Sequence, residues 1–153
     1  MARSAPEAIC WRRYTHGYAV VNPTSTLPQI AGKLLGKPPH ATSMLESNGR
    51  IWLADGTLLW ATELFLPDVV DKTRNFFQFE TPITAMASVG GGFYVGTEEA
   101  CYFLSGDLTR LNRLLVVPAG VVRGSMVPVP ASVARPEGSS SKEAVVFLTR
   151  SEE

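Results

Sequence analysis

The chain is short of the residues that build most recognisable active centres: of 153 residues, two are cysteine and two are histidine. Cys10 and Cys101 lie far apart, form no CxxC pair and join no Cys/His cluster with metal-ligand spacing. A disulfide framework or a structural zinc site is therefore not expected. His16 and His40 stand beside no serine or cysteine in a nucleophile context such as GxSxG, so neither supports a catalytic triad. Charge of one sign is also missing. Fourteen Lys and Arg balance fourteen Asp and Glu, which removes the global positive field that phosphate backbones and anionic membranes attract, and nucleic acid is not an expected partner. No apolar run approaches the roughly eighteen residues of a membrane helix, and the N-terminus lacks the continuous apolar core of a signal peptide. No membrane partner is expected.

What is present fits an ordinary globular composition, 45% hydrophobic and 18% charged, with enough chain for one domain and a real core. Residues 1–40 carry Arg3, Arg12, Arg13, Lys33 and Lys37 against Glu7 alone, which reads as an N-terminal arm with a local basic excess. Its patterning is poor. Asn22-Pro23-Thr24-Ser25-Thr26 and Lys37-Pro38-Pro39 break any long element, leaving one short strand at Tyr18 to Val21 and a helical turn within Gln29 to Leu35.

From residue 41 the chain reads as a β-meander domain running to residue 153. Arg50-Ile51-Trp52-Leu53-Ala54 and Thr57-Leu58-Leu59-Trp60-Ala61-Thr62 are β-rich runs separated by Asp55-Gly56, a hairpin signal. Asn48-Gly49 marks an earlier turn, so Ser43 to Glu46 supplies a preceding antiparallel strand. The plan repeats with Ile83 to Val89, the turn Gly90-Gly91-Gly92, Phe93 to Thr97, the turn Glu98-Glu99, and Ala100 to Ser105. Setting Ile51–Ala54 on Phe93–Gly96, and Leu58-Leu59-Trp60 on Ala100-Cys101-Tyr102, takes one constant offset of forty-two residues. A repeat of roughly 40–50 residues with several strands each is the pattern of β-propeller blades. Leu114 to Val117 reads as an outer strand, Val127-Pro128-Val129-Pro130 and Glu137 to Lys142 as extended chain and loop, and Ala144 to Thr149 as the second strand of a third unit. The expected fold is all-β: antiparallel meanders resembling two to three propeller blades, incomplete. Strands apolar on both faces, such as Ile51-Trp52-Leu53 and Phe93-Tyr94-Val95, suit sheets buried between other sheets.

Few residues invite chemistry. Glu63, Asp68, Asp71 and Glu80 are the best acid–base or Ca²⁺ candidates, Asp68 and Asp71 flanking a possible helical turn after Pro67. The alternation of acids with a central glycine that Ca²⁺ loops need is missing, and a solvated, capped loop explains them more simply. Cys101 sits in an apolar strand as a buried, inert thiol. Cys10, near Arg12 and Arg13, reads as exposed. Gly90-Gly91-Gly92 joins two strands and opens no helix, so it is a hairpin turn and no phosphate cradle. Of the aromatics Trp52, Trp60, Phe76, Phe77, Phe79, Phe93, Tyr94, Tyr102 and Phe103, most should be core. Phe76-Phe77-Gln78-Phe79, after Arg74-Asn75, reads as a connecting segment able to plug into a neighbouring subunit. No catalytic, cofactor-binding or metal-binding residue is assigned, and no enzyme activity is expected.

Arg50-Ile51-Trp52-Leu53-Ala54-Asp55-Gly56, Arg74-Asn75-Phe76-Phe77-Gln78-Phe79 leading into Ile83-Thr84, and Tyr94-Val95-Gly96-Thr97 with Tyr102-Phe103-Leu104-Ser105-Gly106 resemble a group of tailed-phage virion proteins. The resemblance implies a structural tail, nozzle or adaptor component with propeller-like blades, located in the virion after assembly in the host cytoplasm. Its partners would be other virion or tail subunits, in a homo-oligomeric ring or attached to a larger assembly. Proteins of that group are generally longer and carry further blades, so the resemblance implies a truncated form, a fragment or a reduced relative that uses only part of the fold. A second likeness, of Trp11-Arg12-Arg13-Tyr14 and Gly17-Tyr18-Ala19-Val20-Val21-Asn22-Pro23 to a strand pair near the end of some glycoside hydrolases, gives the alternative of a carbohydrate-binding β-domain or a glycoside-hydrolase-associated fragment.

Overall fold

The computed structural model describes residues 10–14, 17–21, 34–134 and 143–150, with side chains described for residues 35–130, 132–133 and 143–150. The chain is all-β and antiparallel. Its strands are β1 (Cys10–Tyr14), β2 (Gly17–Val21), β3 (Leu34–Gly36), β4 (Ser43–Ser47), β5 (Arg50–Asp55), β6 (Leu58–Ala61), β7 (Val70–Asp71), β8 (Phe76–Gln78), β9 (Ile83–Val89), β10 (Gly92–Thr97), β11 (Cys101–Ser105), β12 (Asn112–Val117), β13 (Val127–Pro130) and β14 (Glu143–Val146). A 3₁₀ turn at Leu108–Arg110 and a four-residue helical turn, α1 (Ala131–Ala134), complete the described elements.

These strands form three four-stranded sheets, β1-β2-β3-β7, β4-β5-β6-β8 and β9-β10-β11-β12, followed by the hairpin β13-β14. The turns explain the second and third. Asn48 and Gly49 both take positive φ, 55° and 70°, the geometry whose twist matches a two-residue hairpin and which asparagine and glycine adopt most readily. Ser47 then pairs with Arg50, as Val89 pairs with Gly92 across Gly90-Gly91. Asp55 pairs with Leu58, and Thr97 donates its N–H to Ala100 at 2.7 Å. Every one of these turn positions repeats at the forty-two-residue offset read from the sequence, Arg50 to Gly92 and Asp55 to Thr97.

The sheets stack face to face. Cross-strand partners share a face, so Leu45, Trp52 and Ala61 form one row and Leu59 and Phe77 belong to the same side. That side meets Phe93, Val95, Leu104 and Ile83 of the next sheet in one apolar cluster in which Trp52, Ala54, Leu59, Phe79 and Val95 are buried. The opposite side of the third sheet presents Ala85, Ala87, Tyr94 and Cys101, which pack with Val121, Met126, Val145 and Phe147. The second sheet is thus covered on its leading face by the trailing face of the third, and the third on its leading face by the last hairpin, which leaves the third sheet covered on both faces. This is why its strands are apolar on both sides.

Several sequence expectations change. The first forty residues were read with one short strand; the structure has three, β1, β2 and β3. The β3 strand pairs with β7 at Leu35↔Asp71 and Gly36↔Val70, so this segment is hydrogen-bonded to chain well beyond residue 40. Leu34 and Leu35, expected in a helical turn, are strand, and Gln29 to Lys33 lie outside the described residues, as do Glu137 to Lys142. Phe76-Phe77-Gln78, read as a connector, is the fourth strand of the second sheet, paired with β6. Val127–Pro130, read as extended chain and loop, is strand β13 paired with β14. Two prolines are tolerated there because, among the described residues, β13 has a single ladder neighbour, and alternate residues owe it no N–H.

Candidate interaction surface

Two of the acidic candidates, Glu63 and Asp71, are both bonded to Asn75, Asp71 through its backbone carbonyl. Glu63 accepts from Asn75 Nδ2 at 3.0 Å. Asp71, read as part of a solvated loop, is 1% exposed on β7; its Oδ1 accepts from the Thr73 N–H at 3.0 Å and hydroxyl at 2.6 Å. Its carbonyl also accepts from the Asn75 N–H at 2.9 Å. These bonds close the loop between β6 and β8, and the β3–β7 ladder fastens it to β3, so burial here is structural. Asp68 and Glu80 are exposed, as is His40. His16 lies outside the described residues, as does the Cys10 side chain. Among the described residues no group of three or more His, Cys, Asp or Glu is placed to hold a metal ion.

Cys101 is fully buried and free. Burial pushes its thiol up to about 11, which keeps it protonated and unreactive at neutral pH. Gly90-Gly91-Gly92 forms the expected hairpin turn, and the Gly90 N–H donates to Glu143 Oε2 at 2.7 Å, tying the third sheet to the last hairpin.

The aromatics separate into core and rim. Trp52 is 2% exposed and its indole N–H donates to the Ser47 carbonyl at 3.3 Å; Phe79 and Phe93 are equally closed to solvent. Phe79 packs against Tyr102 at 5.5 Å, with the Arg113 guanidinium over both rings. Trp60 is half-buried on the other face of its sheet, against Phe76 at 5.2 Å.

Among the described residues, large exposed apolar side chains gather in three places, apart from Met44, Phe76, Val122 and Val133. One is the loop tip Leu64-Phe65-Leu66, where Phe65 holds φ 56° and donates its N–H to the Gly49 carbonyl at 2.9 Å. A second is the outer strand β12, with Leu114, Leu115 and Val116 exposed. The third is the leading face of the hairpin. Val145 and Phe147 point back into the stack, so alternation turns Val127, Val146 and, beyond β14, Leu148 the other way. They are 53%, 51% and 64% exposed. Sequence reasoning missed this face because Val127 to Pro130 did not read as strand. The paired exposure of Val127 and Val146 appears only once their register is known.

The fold and surface together define an antiparallel all-β chain of stacked sheets whose last hairpin is covered on one face. Comparison with protein-family models, with curated proteins and with solved structures finds no match for this chain.

Proposed function

We propose that this chain is a structural component of a tailed-phage virion, of the tail, nozzle or adaptor type, and that it works by assembly with partner subunits. Its stacked sheets are the propeller-derived blades that the resemblance over Arg50 to Gly106 implies. The observation that carries the assembly reading is the one-sided hairpin. In the second and third sheets the leading face is closed by the elements that follow, whereas Val127, Val146 and Leu148 stand open. An exposed apolar face that continues a packed series favours another sheet as its cover. Burial of that face and its edges would turn modest protomer stability into assembly stability. On this reading the protein has no catalytic step of its own, and its place is in the virion, in a homo-oligomeric ring or attached to other tail subunits.

The test is the mass of the purified chain by size-exclusion chromatography with light scattering, together with near-UV circular dichroism. A ring-sized oligomer with fixed aromatic signals supports the proposal. A tightly packed monomer at all accessible concentrations overturns it.

The carbohydrate-binding alternative keeps one specific foothold, the Trp60–Phe76 pair, because Phe76 is 39% exposed. Trp52, closed on all sides, offers no stacking face. Quenching of Trp60 emission by oligosaccharides, lost in Trp60→Ala, would favour that reading over assembly.

A further inference from the structure

The seam between the second and third sheets holds a polar atom that the protein leaves without a partner. Ser43 pairs with Ala54 across the β4–β5 ladder, and Ala54 belongs to the cluster closed by the third sheet. Cross-strand partners share a face, so the Ser43 side chain is directed at that sheet as well. Its hydroxyl oxygen is shut off from solvent and makes no hydrogen bond. A buried hydroxyl left unpaired is unfavourable, and folded chains meet nearly all such groups with a protein, water or ion partner.

Ser43 lines a cavity of about 220 Å³ in which three parts of the chain meet. Thr42 and Ser43 come from the start of β4, Thr84 to Met86 from β9, and Arg123, Gly124 and Met126 from the strap between β12 and β13. The strap is pinned in place. Gly124 takes φ 70°, the Ser125 N–H donates to the Val122 carbonyl at 3.1 Å, and the Gly124 N–H donates to the Thr84 carbonyl at 3.1 Å. Glycine at the third position lets such a turn close, and the turn fixes the backbone of Arg123 beside the cavity.

The groups around this cavity are rich in donors and carry one sign of charge. Arg123 is the one charged residue among its described lining residues, and its guanidinium has no ion pair or hydrogen bond among the described residues. The Ser43 hydroxyl is a second donor. Met86 supplies a third: Val89 and Gly92 flank a two-residue turn as a hydrogen-bonded pair, so by alternation Ala87 and Ala85 bond to β10, and Met86 turns its N–H and C=O to the free edge of β9. The Thr42 and Thr84 hydroxyls are already spent as donors, to the Ala54 and Gly96 carbonyls, each at 3.2 Å. Ala85 and Met126 are buried apolar walls, which weaken the screening of any charge between them.

We propose that this cavity binds a small oxyanion, a phosphate or carboxylate group, held by the Ser43 hydroxyl, the Met86 N–H and the Arg123 guanidinium. At about 220 Å³ it falls below the roughly 300–1,000 Å³ of pockets for drug-sized ligands, so the ligand is a free anion or a small molecule that carries one. Because β4, β9 and the strap all contribute, the anion clamps the seam between the two sheets. The inference is independent of the assembly reading, since every group belongs to one chain.

The probes are inorganic phosphate and acetate, each titrated at constant ionic strength, balanced with chloride, into the full isotope-labelled chain. The amide resonances of Ser43, Met86 and Gly124 should shift together along one saturable curve, and the tighter of the two anions identifies the group. Arg123→Gln should weaken that binding at least about tenfold, the loss of one charge-assisted bond, with the near-UV circular dichroism unchanged because Arg123 is exposed. Ser43→Ala supplies a readout that a structural hydroxyl would not move. Without phosphate its urea midpoint should equal or exceed that of the wild-type chain, since no bond is lost, and at saturating phosphate it should fall below.

Four results would overturn the proposal. No response to either anion leaves the Ser43 hydroxyl to water. Shifts that chloride reproduces are an effect of ionic strength. Binding that survives Arg123→Gln at full strength lies elsewhere on the chain. Equal destabilisation by Ser43→Ala with and without phosphate assigns the hydroxyl to the fold alone.

Discussion

The indole of Trp52 and the ring of Phe93 lie 4.7 Å apart between centroids, tilted by 42°, one from each of two successive sheets. Neither residue pairs with the other in a ladder; Trp52 pairs with Leu45 and Ala61, and Phe93 with Ser88 and Leu104. Their contact therefore belongs to the stacking of whole sheets, and it sits in the largest buried cluster among the described residues.

Truncating either ring leaves a cavity between two sheets that cannot easily close. Trp52→Ala and Phe93→Ala should each cost roughly 3–5 kcal/mol in denaturant unfolding. The double variant should cost less than the sum, by about 0.5–1.5 kcal/mol for a tilted aromatic pair. Strict additivity would mean that the rings do not share a packed contact.

The two complete hairpin repeats were legible because their turns carry their own chemistry. Asn48-Gly49, Asp55-Gly56 and Gly90-Gly91 mark reversals that need glycine or asparagine, and the strands between them are rich in β-branched and aromatic residues. The elements that escaped reading are stabilised from a distance. Phe76–Gln78 is three residues long and becomes a strand only because β6 offers an edge. The two-residue β7 exists by pairing with β3, and its Asp71 is buried by that pairing and by Thr73, which local polarity does not reveal. In β13, the prolines that argue against a central strand sit where a single-neighbour strand tolerates them. The interaction surface was hidden for the same reason, since which valines face outward depends on a register that spans residues 127–146.

The segment after β12 is held by an unusually close approach. A Cβ at Gly120 would collide with the Glu98 carbonyl oxygen, and the neighbouring Val121 donates its N–H to the Thr97 carbonyl at 2.9 Å. Gly120→Ala should therefore push this strap off the β10–β11 turn and destabilise the fold by roughly 1–3 kcal/mol. Gly91→Ala, with φ 90° and open space around it, should cost only about 1 kcal/mol of backbone strain. Equal losses in urea titrations would contradict the packing argument.

Cys101 gives the fold a pH dependence of definite sign. Its thiol rises from the ordinary 9.0 to about 11 because burial penalises the thiolate. Below about pH 9 both folded and unfolded chains hold the proton, and the group contributes no slope. Between about 9 and 11 the unfolded chain releases it first, so stability falls as pH rises, by on the order of 2 kcal/mol across the window. Lysine and tyrosine also titrate there, so the check is the difference between the wild-type chain and Cys101→Val. The variant should lose less stability from pH 9 to 11, and thiol-reactive reagents should label native Cys101 only as fast as the chain opens. Rapid labelling of the folded chain at pH 8 would show the thiol to be accessible.

Charges on the leading face of the hairpin separate folding from assembly. Val127 and Val146 are 53% and 51% exposed and point away from the cluster that Val145 joins. Lysine at either position keeps its stem on the sheet and its ammonium in water, so the protomer should lose no more than about 0.5 kcal/mol. If another sheet covers this face, the same ammonium is buried without a partner, at a cost of several kcal/mol per protomer. The double variant Val127→Lys, Val146→Lys should therefore retain the near-UV circular dichroism of the native fold while its light-scattering mass falls to that of the single chain. Charge on the Leu64–Leu66 tip serves as the comparison: if Phe65→Lys dissolves the oligomer and the hairpin variant does not, the assembly contact lies on the loop, and the stack ends at β14.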